Sequence, residues 1–266
     1  SSDLEMIPDS KIGTAVSSSV TYPLTCKPED VYAARMNDNF KVYYMLDMHQ
    51  YGEYPGYYMN YLKERNIMPV MEEGDKSILK KAKMDFIAVN YYRTNCAEAL
   101  KANDEHPFGS REGTVDFNMY GLFKMSMNPN LKATEYGAAI DPSGLRVALN
   151  EYWQRYHLPL IITENGLGAV DEFIDGRIND DYRIDYLKQH LREMKKAILE
   201  DHIECIGYLM WGPIDLVSAT NGEMKKRYGF IYVNKYDDGS GDLSRIPKDS
   251  FYWYKKVIES NGEDVD

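Results

Sequence analysis

Glu164 closes the run Leu158-Pro159-Leu160-Ile161-Ile162-Thr163-Glu164-Asn165-Gly166. The run is apolar and rich in β-branched residues, with nothing polar alternating, so it predicts a strand buried on both faces. Asn165-Gly166 is a turn signal that ends it. Glu164 therefore stands at the carboxyl end of a buried strand, where ligands and catalytic groups collect in α/β sheets. A carboxylate there suits a catalytic role or simply caps the following loop, and this segment alone leaves both readings open.

Other chemistry-bearing residue types are sparse. His49, His106, His157, His190 and His202 show no HExxH or similar ligand spacing and read as surface or packing residues. Cys26, Cys96 and Cys205 are odd in number and far apart. That favours reduced cytosolic thiols over a disulfide framework, and none is spaced as a zinc ligand pair. No metal site is expected. Lys225-Lys226-Arg227, taken alone, reads as a solvated charge run.

The chain of 266 residues is long enough for one large α/β domain or two small ones. Hydrophobic residues make up 44% and charged residues 27%, which excludes disorder as the main state. A net charge of -11 argues against nucleic acid and anionic membranes as general partners. No stretch approaches the roughly 20 apolar residues of a membrane span, and residues 1–6 have neither the basic region nor the apolar core of a signal peptide. Tyr outnumbers Phe by 23 to 8, a bias suited to grooves where rings meet hydroxylated ligands.

The elements that must position Glu164 follow a rhythm. Strands are expected at 11–16, 84–92, 158–164 and 203–211. Helices are expected at 31–48, 57–65, 75–83, 141–156, 179–200 and 250–260. The helix at 31–48 opens on Glu29-Asp30, and Tyr51-Gly52 to Pro55-Gly56 breaks it. Asp141 is the candidate N-cap of its helix, with Pro142 at the first position. The helix from 179 carries the stripe Ile184, Leu187, Leu191, Met194 and Ile198. Residues 93–136, with Pro107, Gly109, Gly113, Gly121 and Pro129, read as a long irregular segment. With no linker and no repeat, residues 1–266 are expected to form a single domain. Four alternating βα units imply a parallel sheet. Its strands turn polar at their ends, which puts Ser17, Asn90, Tyr92, Glu164 and Trp211 on one rim. Half of an eight-unit barrel and a small open sheet both satisfy this pattern.

At Thr163-Glu164-Asn165-Gly166 the chain resembles glycoside hydrolase family 1. Further motifs follow in family order: 86–92 ending Asn90-Tyr91-Tyr92, then Asp180-Asp181-Tyr182-Arg183-Ile184-Asp185-Tyr186-Leu187. Gly207-Tyr208-Leu209-Met210-Trp211, 218–233 and Lys255-Lys256-Val257-Ile258 complete the set. The likeness covers nearly the whole chain. It implies an α/β fold of the (β/α)8 TIM-barrel family, with this chain supplying strands five to eight and their helices, the carboxyl-terminal half. It implies a retaining β-glycosidase, whose chemistry needs two carboxylates roughly 5–5.5 Å apart. By this resemblance Glu164 is the nucleophile, and Tyr92 donates a hydrogen bond that keeps it ionised and aimed. Asn90 lies near the sugar or the acid/base, and Trp211 stacks under the sugar ring. No cofactor is implied.

The stretch from Ser218 to Tyr228 points to the phospho-sugar branch. A Glu-Trp pair that binds sugar hydroxyls in other members is replaced here by Ser218-Ala219. A carboxylate there would repel a phosphate dianion, whereas a hydroxyl, an ammonium and a phenol donate to its oxygens. Ser218, Lys226 and Tyr228 resemble the branch's 6-phosphate clamp, with Lys225 as the spare lysine. Ala219 stands where phospho-galactosidases tend to have Trp. The implied activity is hydrolysis of 6-phospho-β-glucosides to glucose 6-phosphate and an aglycone, in the cytoplasm. The alternatives are a 6-phospho-β-galactosidase, or a non-catalytic half barrel that binds sugar phosphates. Many members carry Trp at Tyr136 and Ala138, in a stretch that borders the leaving-group side. The family's Asn-Glu acid/base motif finds no match, since Asn150-Glu151 falls inside a helix. The acid/base is therefore expected in an amino-terminal half, and open strand edges should make this half self-associate or pair with that other half.

Overall fold

The computed structural model describes residues 7, 9–101 and 121–266, so the expectations for residues 1–6, His106, Pro107, Gly109 and Gly113 lie outside the described residues. β1 (Gly13–Ser18) and β2 (Thr21–Pro23) lead into α1 (Pro28–Asp38), which has Pro at its start and Glu29 and Asp30 in its first turn. The single helix expected at 31–48 is instead α1, a π-helical turn at Asn39–Tyr43, and α2 (Tyr44–Tyr51). The wider turn re-phases the buried face. Ala33, Met36 and Phe40 pack in a side cluster with Ala97 and Phe123, whereas Val42, Tyr43 and Leu46 pack in the main core. Gly52 ends α2 with φ 72, a left-handed position that favours glycine.

α3 (Gly56–Glu64) and α4 (Asp75–Lys81) precede β3 (Phe86–Tyr91). The segment expected to be irregular contains β4 (Asn95–Glu98) and β5 (Lys124–Ser126). Neither has much strand propensity; pairing of β4 with β2 on one side and β5 on the other makes a small three-stranded sheet. α5 (Pro142–Tyr156) starts as expected, with the Asp141 carboxylate accepting from the Gly144 amide at 2.9 Å. β6 (Leu160–Glu164), β7 (Ala169–Val170), α6 (Asp181–Leu199), β8 (Cys205–Tyr208), β9 (Lys226–Arg227), β10 (Ile231–Val233), β11 (Arg245–Pro247) and α7 (Asp249–Glu259) follow.

The main sheet has the order β1-β3-β6-β8 with every pair parallel. Ser17 aligns with Asn90, and Asn90 with Glu164 across a register shift at Val89/Asn90, so the polar strand ends share a rim. On the helix side Val16, Ile87, Val89, Tyr91, Leu160 and Ile162 pack against Leu145, Ala148, Leu149 and Tyr152 of α5 and Ala197 of α6. Burial in β6 alternates: Leu160 and Ile162 are buried, while Ile161 and Thr163 are half-buried. The two-faced burial expected for this strand is thus only partial. Ala15 and Ser17 are exposed, and so is Ile206 on the outer strand β8.

The buried face of α6 is Arg183, Tyr186, Leu187, His190, Leu191 and Ala197, rotated from the expected stripe; Ile184 and Ile198 are only half-buried. The rotation accompanies Arg183, which finds polar partners inside, and His190, whose ring packs against Tyr91 and Tyr186. The three cysteines are free thiols. Among the described residues no helix is long and apolar enough to cross a membrane.

Candidate functional site

Glu164 ends β6, and Tyr92 lies one residue beyond β3. The Tyr92 hydroxyl donates to Glu164 Oε2 at 2.7 Å. Burial, and then the carboxylate itself, push the Tyr92 phenol up, so it stays protonated and acts as a donor. Asn90 Oδ1 accepts from the Thr163 hydroxyl at 2.6 Å, which fixes the strand just before Glu164.

The turn after Glu164 is held from three sides by Asn165, which is fully buried. Its amide donates to Tyr91 O at 2.7 Å, its Oδ1 accepts from the Tyr208 hydroxyl at 2.7 Å, and its carbonyl accepts from the Trp211 amide at 2.9 Å. That last bond carries Trp211 to the side of the sheet where Glu164 ends. A Cβ built on Gly166 would lie 3.6 Å from both Trp211 Cβ and Tyr228 Cδ1, so the two aromatic residues flank this glycine.

Tyr228 links this group to a second one. Its ring meets the Tyr92 ring edge-on at 6.2 Å, and the Lys226 ammonium lies 5.9 Å from its centroid. Lys226 Nζ donates to Asn221 Oδ1 at 2.9 Å and, more loosely, to Thr220 Oγ1 at 3.4 Å. Thr220 Oγ1 lies 3.2 Å from the buried Ser218 Oγ, so one hydroxyl bridges Ser218 and Lys226. Backbone bonds from Ser218 N to Glu223 O at 2.9 Å and from Gly222 N to Ser218 O at 2.8 Å close this turn. Burial lowers the pKa of Lys226. Lys225 is exposed and pairs with Glu223 at 3.4 Å, and Ala219 is exposed on the turn.

The support beneath is ionic. Arg183, fully buried, donates through Nη1 to the carbonyls of Leu167 at 2.5 Å and of Arg227 and Tyr228 at 3.2 Å. Nε reaches Asp180 at 2.9 Å and Nη2 reaches Asp171 at 2.7 Å. Lys248 pairs with Asp171 and Asp215, and Asp215 also pairs with Arg227 at 3.1 Å and accepts from the Gly229 amide at 2.9 Å. One guanidinium thus ties the loop after Glu164 to the strand that carries Lys226.

Of the residues singled out in the sequence, Glu164, Tyr92, Trp211 and Tyr228 come together, Asn90 sits beneath them, and Ser218 and Lys226 meet through Thr220. Ala219 makes no such contact among the described residues. Sequence reasoning missed Thr220, Asn221, Arg183 and Gly168. A Cβ on Gly168 would fall 2.6 Å from Tyr228 Cζ and 2.9 Å from Lys226 Cε. Arg183 lies within a quoted motif, and a charged residue on a helix's buried face was the available signal. Among the described residues no group of three His, Cys, Asp or Glu is arranged to hold a metal ion.

Residues 2–263 match the model of glycosyl hydrolase family 1. The chain is 49% identical over 262 residues to the aryl-phospho-β-D-glucosidase BglH of Bacillus subtilis, covering 98% of this chain and 53% of that protein. It is 43% identical over 264 residues to the 6-phospho-β-glucosidase AscB of Escherichia coli, covering 98% of this chain and 52% of that one. Its fold matches the family 1 β-glucosidase from Exiguobacterium antarcticum with a TM-score of 0.80 at 28% identity, covering 96% of this chain and 52% of that one. The chain spans about half the length of the curated relatives it matches.

Proposed function

The chain belongs to glycosyl hydrolase family 1, and on that footing we propose that it is the carboxyl-terminal half, a single unit, of a cytoplasmic retaining 6-phospho-β-glucosidase. The observation that carries this reading is the 2.7 Å bond from Tyr92 to Glu164 Oε2, made beside a set of donors suited to a phosphate. Glu164 Oε1 carries no hydrogen bond among the described residues, so it is the oxygen free to attack. Glu164 attacks the anomeric carbon, forming a glycosyl-enzyme ester as the aglycone leaves, and water then releases the sugar with its original configuration. Tyr92 holds the carboxylate in place. Trp211 offers a ring face to the sugar, and Asn90 stands at the adjoining strand end. Ser218, Lys226 and Tyr228 take the 6-phosphate through a hydroxyl, an ammonium and a phenol.

The general acid/base lies in the amino-terminal half of the barrel. Glu151 does not serve, because it sits inside α5 and accepts from Tyr43 at 2.7 Å. Among its described residues this chain therefore offers a nucleophile but no matched acid, and alone it is poorly active on leaving groups that need a proton. That feature also keeps open a second reading, a sugar-phosphate-binding half barrel without catalysis. Ala219 favours gluco over galacto configuration, and hydrolysis of the two epimeric aryl 6-phosphoglycosides by the complete enzyme discriminates them.

The test is intact mass after incubation with 2,4-dinitrophenyl 2-fluoro-β-glucoside 6-phosphate, whose leaving group needs little acid assistance. The expected result is one glycosyl adduct mapped to Glu164, absent in E164Q. Absence of an adduct on both this chain and the full-length enzyme, or labelling elsewhere, overturns the assignment.

A further inference from the structure

Lys226 faces a second ring besides Tyr228. Its ammonium lies 4.4 Å from the centroid of Tyr136, closer than the 5.9 Å to Tyr228. The family resemblance implies that Tyr136 lies in a stretch bordering the leaving group; the structure puts its ring against Lys226. We propose that Tyr136 is a positioning residue for phosphate recognition, holding the Lys226 ammonium in place through its ring face. This rests on the reading of Ser218, Lys226 and Tyr228 as a phosphate site.

The ring is locked to the strand that carries its cation. Gly137 N donates to Thr134 O at 2.9 Å, Thr134 N to Ala138 O at 2.8 Å, and Ala138 N to Thr134 Oγ1 at 3.1 Å, closing a tight turn around Tyr136. Gly137 takes φ 74, which a turn of this kind needs and a side chain would resist. A bridge between Ala133 and Ala139 closes the base of the loop. Glu135 Oε1 accepts from the Val170 amide at 2.6 Å, and Val170 is the register partner of Lys226 in the β7–β9 ribbon. The Tyr136 loop is thus tied through Glu135 and Val170 to the ribbon that carries Lys226.

The choice of a ring has an electrostatic reason. Lys226 is half-buried, and burial disfavours its charged form. A carboxylate partner would restore the charge but repel an incoming phosphate dianion. Among the described residues no carboxylate lies within ion-pair distance of Lys226; Glu223 pairs directly with Lys225 at 3.4 Å and supports the Lys226 charge only from farther off. A ring quadrupole stabilises the ammonium without neutralising it, so the full positive charge remains for the phosphate. Burial, and then the Glu223 carboxylate towards which it points, raise the pKa of the Tyr136 hydroxyl, while the ring face meets the Lys226 ammonium at 4.4 Å, so the ring and not the hydroxyl carries the contact to the lysine.

The test is binding of glucose 6-phosphate and of glucose to this chain by ligand-observed NMR, in wild type, Y136F, Y136L, Y136W and K226M. Y136F and Y136W keep a ring and should hold glucose 6-phosphate within about twofold of wild type. Y136L should weaken it by about 5- to 30-fold, the range of a desolvated cation–π contact, and leave glucose unchanged. The inference is overturned if K226M weakens glucose 6-phosphate while Y136L does not, or if Y136F weakens it as much as Y136L. Should Y136L fail to fold, Y136F decides, because it removes the hydroxyl and keeps the ring. A wild-type chain with no preference for glucose 6-phosphate over glucose would remove the phosphate site itself, and this inference with it.

Discussion

Replacing Arg183 by Met should cost the fold about 3–5 kcal/mol, because it breaks a buried ion network rather than a surface pair. Arg183, Arg227 and Lys248 face Asp171, Asp180 and Asp215, so the set is neutral with three charges of each sign, and the paired side chains are 0–3% exposed. Methionine keeps much of the volume but leaves two cations against three anions, with one carboxylate charge uncompensated away from water. It also strips the donor from the carbonyls of Leu167, Arg227 and Tyr228. Against a total stability of about 5–15 kcal/mol that loss is large. The assay is urea unfolding followed by circular dichroism, with the midpoint and slope compared between variants. R183M/D180N restores the balance, leaving Arg227 and Lys248 against their partners Asp171 and Asp215, and should recover part of the loss. A cost below about 1 kcal/mol for R183M would refute the reasoning, and so would a double variant less stable than the single one.

Y92F removes the donor on Glu164 Oε2 and should slow labelling by the 2-fluoro glycoside about 10- to 150-fold, the worth of a hydrogen bond to a charged group; an unchanged mass-spectrometric time course contradicts this. G168A should bring a methyl carbon within 2.6 Å of Tyr228 Cζ and weaken glucose 6-phosphate about fivefold or more with glucose unaffected, checked by the same NMR titration. Burial holds His190 down to about 4 from its ordinary 6.5, with Nδ1–H donating to Tyr186 O at 2.7 Å and Nε2 unpaired. The fold favours the neutral ring, so this stabilisation is present above pH 6.5 and is lost as pH falls towards 4, by about 3 kcal/mol at most. H190N should therefore lose less stability than wild type between those pH values in urea melts; parallel curves would contradict the prediction.

The strand ending at Glu164 and the helix capped by Asp141 were legible because each carries its own local signal, a β-branched run with a turn or a cap with proline. The π-helical turn at Asn39–Tyr43 was not, since it serves a change of packing partner that periodicity along one helix does not record. β4 and β5 escaped because their strand character comes from distant pairing. On α6 the apolar pattern pointed to Ile184 and Ile198 and passed over Arg183, which finds polar partners inside, and His190, whose ring packs against Tyr91 and Tyr186. In the site, Glu164 stood out by type and position, whereas Lys226, which alone reads as part of a charge run, stood out only through the family resemblance. Tyr136 and Thr220 did not, because their nearness to Lys226 depends on the β7–β9 ribbon and on a loop closing elsewhere in the chain.

The guanidinium of Arg183 accepts no slack between the loop at Leu167 and the strand at Arg227 and Tyr228. On the proposed reading, these two segments carry the jaw that meets the anomeric carbon and the jaw that meets the phosphorus. The site then works as a fixed caliper. It gauges the span between two points of one molecule, so a β-glucoside phosphorylated at the 3-hydroxyl presents both groups at the wrong separation. An unphosphorylated β-glucoside supplied together with inorganic phosphate would fill both jaws without being the substrate, because only a covalent arm of the right length transmits the hold at one end to the alignment at the other.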